Sequence, residues 1–215
     1  IFVLGYTKTG TNWLRNLIRH YYSIDQEIGF FPSKNFFRIR VHHLHRYIPS
    51  SYFRKKTIYI IRDGRDVVVS RYFTMVRQKS QSLMKKDFIR FSGKTPTEEN
   101  IKDLLPDYIN FLKTYKKSSI AYDKHVKKAE ELKLHTIRYE ELHGNTLETV
   151  RGVLQYLNPQ ERVDEEVLKE SIEKSSVKNQ KKDSGFFRKD GGQKGRWVAY
   201  FSKEAADAFD TFWGD

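Results

Sequence analysis

Apolar and polar positions change period several times along the chain. Ile1 to Leu4 is an unbroken apolar run ending at Gly5, the pattern of a buried strand that feeds a loop. From Thr11 the spacing becomes helical, with Leu14, Leu17, Ile18 and Tyr21 on one face. Arg38 to His43 alternates polar and apolar through Ile39 and Val41, which predicts a second strand. Thr57 to Ile61 is rich in β-branched residues and predicts a third, with a helix after it from about Asp66 to Gln78. Residues 79 to 105 are polar, with Gly93, Pro96 and Glu98-Glu99, and read as a mobile segment with limited helix. Pro106 is placed to open a helical stretch to about Glu131, broken near Ser118-Ser119. Leu132 to Arg138 predicts a short strand. Thr146 to Leu157 predicts a helix bearing Leu147, Val150, Leu154 and Leu157 on one side, and Asp164 to Lys174 another with Asp164 as N-cap. Residues 179 to 195 form a Gly- and Lys-rich loop, and Lys203 to Phe212 closes with a helix.

Strands alternating with helices imply βαβ units. The expected fold is α/β: a single domain over residues 1–215, its central parallel sheet flanked by helices, with a P-loop-like nucleotide-binding core. The 215 residues suffice for one such core. Hydrophobic content of 38% and aromatic content of 14% exclude a disordered chain. The lack of cysteine excludes a disulfide framework and cysteine-ligated metal, and suits a reducing, cytoplasmic compartment. No apolar run approaches ~18 residues, so nothing reads as a membrane span. The chain opens on the first strand itself, as an N-terminus trimmed upstream would. Net charge changes the picture more. At +13 it points to an anionic partner. The basic clusters at Arg54-Lys55-Lys56, Lys124 to Lys128, Lys178 to Lys182 and Arg188 to Arg196 are dispersed, with no zinc-finger or basic-zipper pattern. A charged nucleotide or an anionic acceptor is therefore expected rather than nucleic acid.

The first candidate for anion binding is the loop Gly5-Tyr6-Thr7-Lys8-Thr9-Gly10-Thr11-Asn12. A strand, a Gly-bounded loop and a helix present backbone N–H groups and a helix N-terminus to phosphate. The magnesium-binding P-loop needs Lys-Ser or Lys-Thr directly after its second glycine. Here Thr11-Asn12 follows Gly10, and the lysine lies inside the loop at Lys8. The second candidate is Arg62, at the C-terminal end of the Thr57–Ile61 strand, where open α/β sheets bind ligands. Its planar fork suits phosphate, and Ser70 lies within the helix that follows. Asp63, Arg65 and Asp66 fit caps and local ion pairs. The third candidate is Phe187-Arg188-Lys189-Asp190-Gly191-Gly192-Gln193-Lys194-Gly195-Arg196-Trp197, able to close over a nucleotide.

With these three stretches the chain resembles the cytosolic-type and related sulfotransferases, which use 3′-phosphoadenosine 5′-phosphosulfate and no metal. Tyr6-Thr7-Lys8-Thr9-Gly10-Thr11-Asn12-Trp13 is similar to the family's Tyr-Pro-Lys-Ser-Gly-Thr-Thr-Trp. Arg62 to Ser70 is similar to its Arg-Asp-Pro-Arg-Asp-Val core with serine at Arg-x7-Ser spacing, except that Gly64 replaces proline. The resemblance implies that Lys8, Thr9, Gly10, Thr11 and Asn12 hold the 5′-phosphosulfate. It implies that Arg62, Ser70, Arg188 and Lys189 hold the 3′-phosphate, and that Trp13 packs on adenine. Arg138-Tyr139-Glu140-Glu141-Leu142 resembles the family's Tyr-Glu-Asp/Glu-Leu segment, and the resemblance implies that Tyr139 falls near the adenine edge and that Ser175 or Ser176 contacts the base. Trp13 fits ordinary core packing as well.

Sulfuryl transfer asks for a base, and histidine near neutral pKa suits it. His42, His43 and His45 cluster after the second strand. Aligning the family's Lys-Thr-His-Leu-Pro here selects His43 as base, with Lys8 stabilising the leaving oxygen; the family's lysine falls on Val41. Strand parity agrees, since Ile39, Val41 and His43 share a face; His42 and His45 are the alternatives. The histidine spacing lacks a nearby carboxylate, which argues against metal. The expected acceptor is a small molecule or a glycan, with Ser80 to Pro106 as its lid; Phe30, Phe31, Phe36, Phe73 and Phe88 fit either the lining of its pocket or the core. Competing readings are a P-loop-like small-molecule kinase and a basic, non-catalytic module for anionic ligands.

Overall fold

Alternation within the short strands decides what each face of the sheet packs against. The computed structural model describes residues 1–22, 40–41, 56–77, 82–115, 122–176 and 192–213. Strands β1 (Phe2–Gly5), β2 (Arg40–Val41), β3 (Thr57–Ile61) and β4 (His135–Arg138) form a four-stranded parallel sheet in the order β2-β1-β3-β4. The helices are α1 (Thr11–Tyr21), α2 (Gly64–Arg77), α3 (Leu83–Ser92), α4 (Ile101–Thr114), α5 (Tyr122–Glu131), α6 (Tyr139–Gly144), α7 (Thr146–Leu157), α8 (Glu165–Lys174) and α9 (Lys203–Trp213). A 3₁₀ turn, Arg196–Ala199, precedes α9.

Val3, Ile58, Ile60 and Ile137 point to one face, covered by Leu14, Leu17 and Ile18 of α1, Val150 and Leu154 of α7 and Leu168 of α8. Phe2, Leu4 and Tyr59 point to the other, against Ala129 of α5 and Leu132. Both faces are therefore apolar, as a parallel sheet between helical layers requires. A second cluster is helical. Val68, Val69, Tyr72, Phe88, Leu104, Leu105, Tyr108, Phe111 and Phe209 join α2, α3, α4 and α9.

Most expected elements fall where the periodicity puts them, and α7 matches residue for residue. The Asp164 carboxylate caps α8, accepting from the N–H groups of Glu166 and Val167 at 3.0 and 3.1 Å. Three expectations need correction. Helix α2 starts at Gly64 rather than Asp66, because the Asp63 carboxylate caps it by accepting from Arg65 N–H at 2.9 Å. Pro106 lies inside α4 instead of opening it. The lost N–H and ring clash cost about 3 kcal/mol, offset by burying Ile101, Leu104, Leu105, Tyr108 and Ile109. The turn ahead of α4 is set by Asn100, whose Oδ1 accepts from Thr97 N–H at 2.8 Å and from the Tyr72 hydroxyl at 3.0 Å.

The 79–105 stretch is the third. It holds all of α3, and Phe88, which fitted either an acceptor pocket or the core, is core, fully buried against Tyr108 and Phe111. Phe73 is likewise core at 3% exposure. Phe30, Phe31 and Phe36 lie outside the described residues. Only Phe88 of this helix is fully buried, while Leu83 and Phe91 are exposed, so its apolar residues do not mark one clean face.

Strand order matters for function. The chain leaves β1 toward β2 on one side and leaves β3 toward β4 on the other. The crevice between the C-terminal ends of β1 and β3 is a topological switch point, where open α/β sheets bind ligands. Among the described residues no helix is long and apolar enough to cross a membrane.

Phe88→Ala should destabilise the protein by about 3–5 kcal/mol in urea unfolding. Phe91→Ala, on the exposed side of the same helix, should cost less than about 1 kcal/mol. Equal losses would contradict the packing of α3.

Candidate functional site

Two loops leave the sheet side by side at that crevice. The first follows β1 and turns through Lys8, whose φ is 71°, and Gly10, whose φ is 96°. Left-handed backbone is costly for a lysine, and here it is stabilised from within. The Thr9 hydroxyl and N–H both donate to the Tyr6 carbonyl, at 2.7 and 3.3 Å. Thr9 is fully buried and Thr11 nearly so, while Asn12 is exposed. The Thr9 hydroxyl is thus committed to the loop's own turn rather than turned outward. Gly10 has a second reason to lack a side chain: a Cβ there would stand 2.5 Å from the Tyr139 ring. Helix α1 starts at Thr11 with no acidic residue in its first turn, leaving its N-terminal dipole uncompensated by carboxylate.

The second loop centres on Arg62, 7% exposed. Its Nη1 donates to the Lys8 carbonyl at 3.3 Å, so the two loops are joined by this guanidinium. Its Nη2 donates to the Gln193 carbonyl at 2.9 Å and lies 3.6 Å from the Asp66 carboxylate. The guanidinium carbon sits 4.2 Å above the centre of the Tyr139 ring. Nε is buried and makes no hydrogen bond among the described residues. The Arg62 backbone is fixed as well: Tyr122 accepts from its N–H at 3.2 Å and donates to its carbonyl. Asp63 N–H donates to Glu140 at 2.9 Å. Burial pushes the Asp63 carboxyl up, but hydrogen bonds and charge from Arg65, with Arg62 behind it, hold it below the usual range. Burial pushes the Tyr139 and Tyr122 phenols up, Arg62 partly opposing this at Tyr139.

A third strand of chain closes over these groups. Tyr139 donates to the Gly192 carbonyl. Asp66, 2% exposed, accepts from Gly195 N–H at 2.8 Å and Trp197 N–H at 2.9 Å. The Arg65 guanidinium lies 3.6 Å over the Trp197 ring. The resulting pocket is lined by Arg62, Asp66, Val69 and Ser70 from one side and Gly192, Gln193 and Arg196 from the other. Trp13 packs edge-on against Tyr139 at 5.9 Å, with His143 beside both at about 6 Å.

Lys8, Gly10, Trp13, Arg62, Ser70 and Tyr139 therefore converge. Ser175 is buried at the C-terminal cap of α8 and does not line the Arg62 pocket. Arg188, Lys189, His42, His43 and His45 lie outside the described residues. Asp66, read from sequence for caps and local ion pairs, makes the local pair with Arg62 and also reaches residues 195 and 197; Tyr122 was not foreseen, and Arg196 was read only as part of the third loop. The Arg62–Asp66 spacing of four carried a signal for the ion pair. Nothing in the sequence links residue 122 to residue 62. Among the described residues no cluster of His, Asp or Glu could hold a metal ion.

Gly10→Ala should place a methyl group on the Tyr139 ring in left-handed backbone and cost at least about 1–2 kcal/mol. Thermal unfolding checks this, and an unchanged midpoint would refute the close approach.

A model of the sulfotransferase domain matches residues 24–214. No curated protein sequence matches the chain. Among solved structures, a mouse sulfotransferase, SULT7A1, complexed with PAP superposes with TM-score 0.66 at 19% identity, covering 99% of this chain and 81% of that one. Retinol dehydratase in complex with androsterone and inactive cofactor PAP gives 0.67 at 16% identity, covering 98% and 78%. The same protein with retinol and PAP gives 0.62 at 16%, covering 98% and 79%. At these identities the structures speak to the fold, which is shared over nearly the whole chain. Because the domain match spans most of the sequence, the chain belongs to the sulfotransferase domain family.

Proposed function

We propose that this protein transfers a sulfuryl group from 3′-phosphoadenosine 5′-phosphosulfate to a hydroxyl or amine of a small-molecule or glycan acceptor. One observation carries the reading: the two loops read as anion-binding leave adjacent strand ends, and Arg62 bridges them by donating to the Lys8 carbonyl. A nucleoside triphosphate needs only the first. A nucleotide phosphorylated at both 3′ and 5′ positions needs both. The residues fit it, since the buried Nε of Arg62 has no hydrogen-bond partner among the described residues and Ser70 lines the same pocket. The solved relatives crystallised with PAP, the desulfated form of this donor, support the same choice. Androsterone and retinol, bound by retinol dehydratase, favour a small acceptor over nucleic acid.

In this scheme the backbone of Gly10 to Asn12 and the N-terminus of α1 bind the 5′-phosphosulfate, with Thr9 shaping the loop. Arg62 and Ser70, together with Arg188 and Lys189, bind the 3′-phosphate. Trp13 and Tyr139 flank adenine, and Ser175 serves the base edge. His43 takes the acceptor's proton as its oxygen or nitrogen forms a bond to sulfur and the sulfur–oxygen bond to the 5′-phosphate breaks. Lys8 stabilises the negative charge gathering on that departing oxygen. No step requires a metal.

Calorimetry should show saturable binding of PAP, and its absence would leave a non-catalytic module for other anions. Transfer of labelled sulfate should persist in EDTA, whereas a kinase would stop. His43→Ala should lower turnover by about a hundredfold or more with PAP affinity unchanged. Full activity in that variant would pass the role to His42 or His45.

A further inference from the structure

We infer that Arg196 is a further binding residue of the 3′-phosphate pocket, delivered by the C-terminal segment, and that Asp66 is the positioning residue that seats it. The inference rests on the donor reading above and adds two residues that the reading does not use. Three of the seven residues lining the pocket, Gly192, Gln193 and Arg196, are remote in sequence from Arg62 and Ser70 opposite. The pocket exists only while this segment is docked. Its docking contacts are few and identifiable.

Asp66 supplies the strongest of them. Each of its carboxylate oxygens accepts one backbone N–H, from Trp197 and from Gly195, on either side of Arg196. Charge-assisted bonds of this kind are roughly twice as strong as neutral ones. Asp66 also lies 3.6 Å from Arg62. Its negative charge faces a cation and two donors, so it serves the segment and is unsuited to bind an anion itself. Gly195 supplies the turn at φ 71° that lets both N–H groups reach one carboxylate.

Arg196 is then held between fixed groups. Its guanidinium lies 4.5 Å over the Phe73 ring and 5.4 Å from the centre of Tyr200, and its Nη2 donates to the Tyr200 hydroxyl at 3.0 Å. Phe73 is core and does not move with the segment. Two arginines, Arg62 and Arg196, thus line one pocket together with Ser70. A phosphate dianion matches that pair in charge and in its demand for forked donors. A neutral ribose hydroxyl does not.

The test compares two nucleotides by calorimetry: adenosine 3′,5′-bisphosphate and adenosine 5′-monophosphate, which lacks only the 3′-phosphate. Arg196→Gln should weaken bisphosphate binding about ten- to a hundredfold and leave monophosphate binding unchanged, with Arg196→Lys recovering part of the loss. Asp66→Asn should weaken bisphosphate binding too, and the double variant should bind no worse than the weaker single one, because both act on one contact. An Arg196→Gln protein with unaltered bisphosphate affinity, or with equal loss for both nucleotides, overturns the role of Arg196. Independent, additive losses overturn the role of Asp66. Failure of the unaltered protein to bind bisphosphate would overturn the donor reading instead.

Discussion

A guanidinium withdrawn from water is destabilising unless its charge and donors are answered on the spot. In Arg62, at 7% exposure, the guanidinium is answered by the Lys8 carbonyl, the Gln193 carbonyl, the Asp66 carboxylate and the Tyr139 ring, while the Tyr122 hydroxyl holds its backbone. Each partner comes with its own element: the β1–α1 loop, the C-terminal segment, α2, α6 and α5. Holding one buried cation therefore fixes the mutual placement of nearly every part of the site. Substituting lysine would keep the charge and lose the fork that reaches two carbonyls at once.

The sheet makes this convergence possible. Its alternation sends Val3, Ile58 and Ile60 to one helical layer and Phe2, Leu4 and Tyr59 to the other, so side-chain packing fixes the strands without using their C-terminal ends. Those ends are left to backbone-rich loops. Gly5, beside Ile60 in register, approaches so closely that a Cβ would stand 2.8 Å from the Ile60 carbonyl. The first loop therefore starts tight against β3, within reach of Arg62. Surplus positive charge acts on this architecture from outside by raising the local concentration of anions.

How much of this the sequence disclosed depended on range. Periodicity revealed the strands and amphipathic helices, because burial on one side writes itself into successive residues. Helix α3 escaped because Phe88 is its one fully buried residue, and α4 was placed too late because a proline usually marks a start. Local chemistry at Lys8, Gly10, Arg62 and Ser70 was legible through motif. The tie from Asp66 to residues 195 and 197, and from Tyr122 to Arg62, joins positions more than fifty residues apart. No pattern within a single stretch encodes such a tie. Gly64 illustrates both sides. The sequence shows it as a departure from the family's proline; the structure explains it, since a Cβ there would lie 2.9 Å from Phe209 and 3.4 Å from Tyr122.

That glycine carries a consequence for how the molecule is made. The turn holding Arg62 is braced by Tyr122 from the middle of the chain and by Phe209 of α9. Strands β1 and β3 can pair early in synthesis, but the turn between β3 and α2 has no complete support until Phe209 has left the ribosome. During elongation the arginine is exposed at the end of a sheet whose apolar faces are still partly uncovered. Late emergence of the brace thus leaves this turn incompletely packed until the last helix is made.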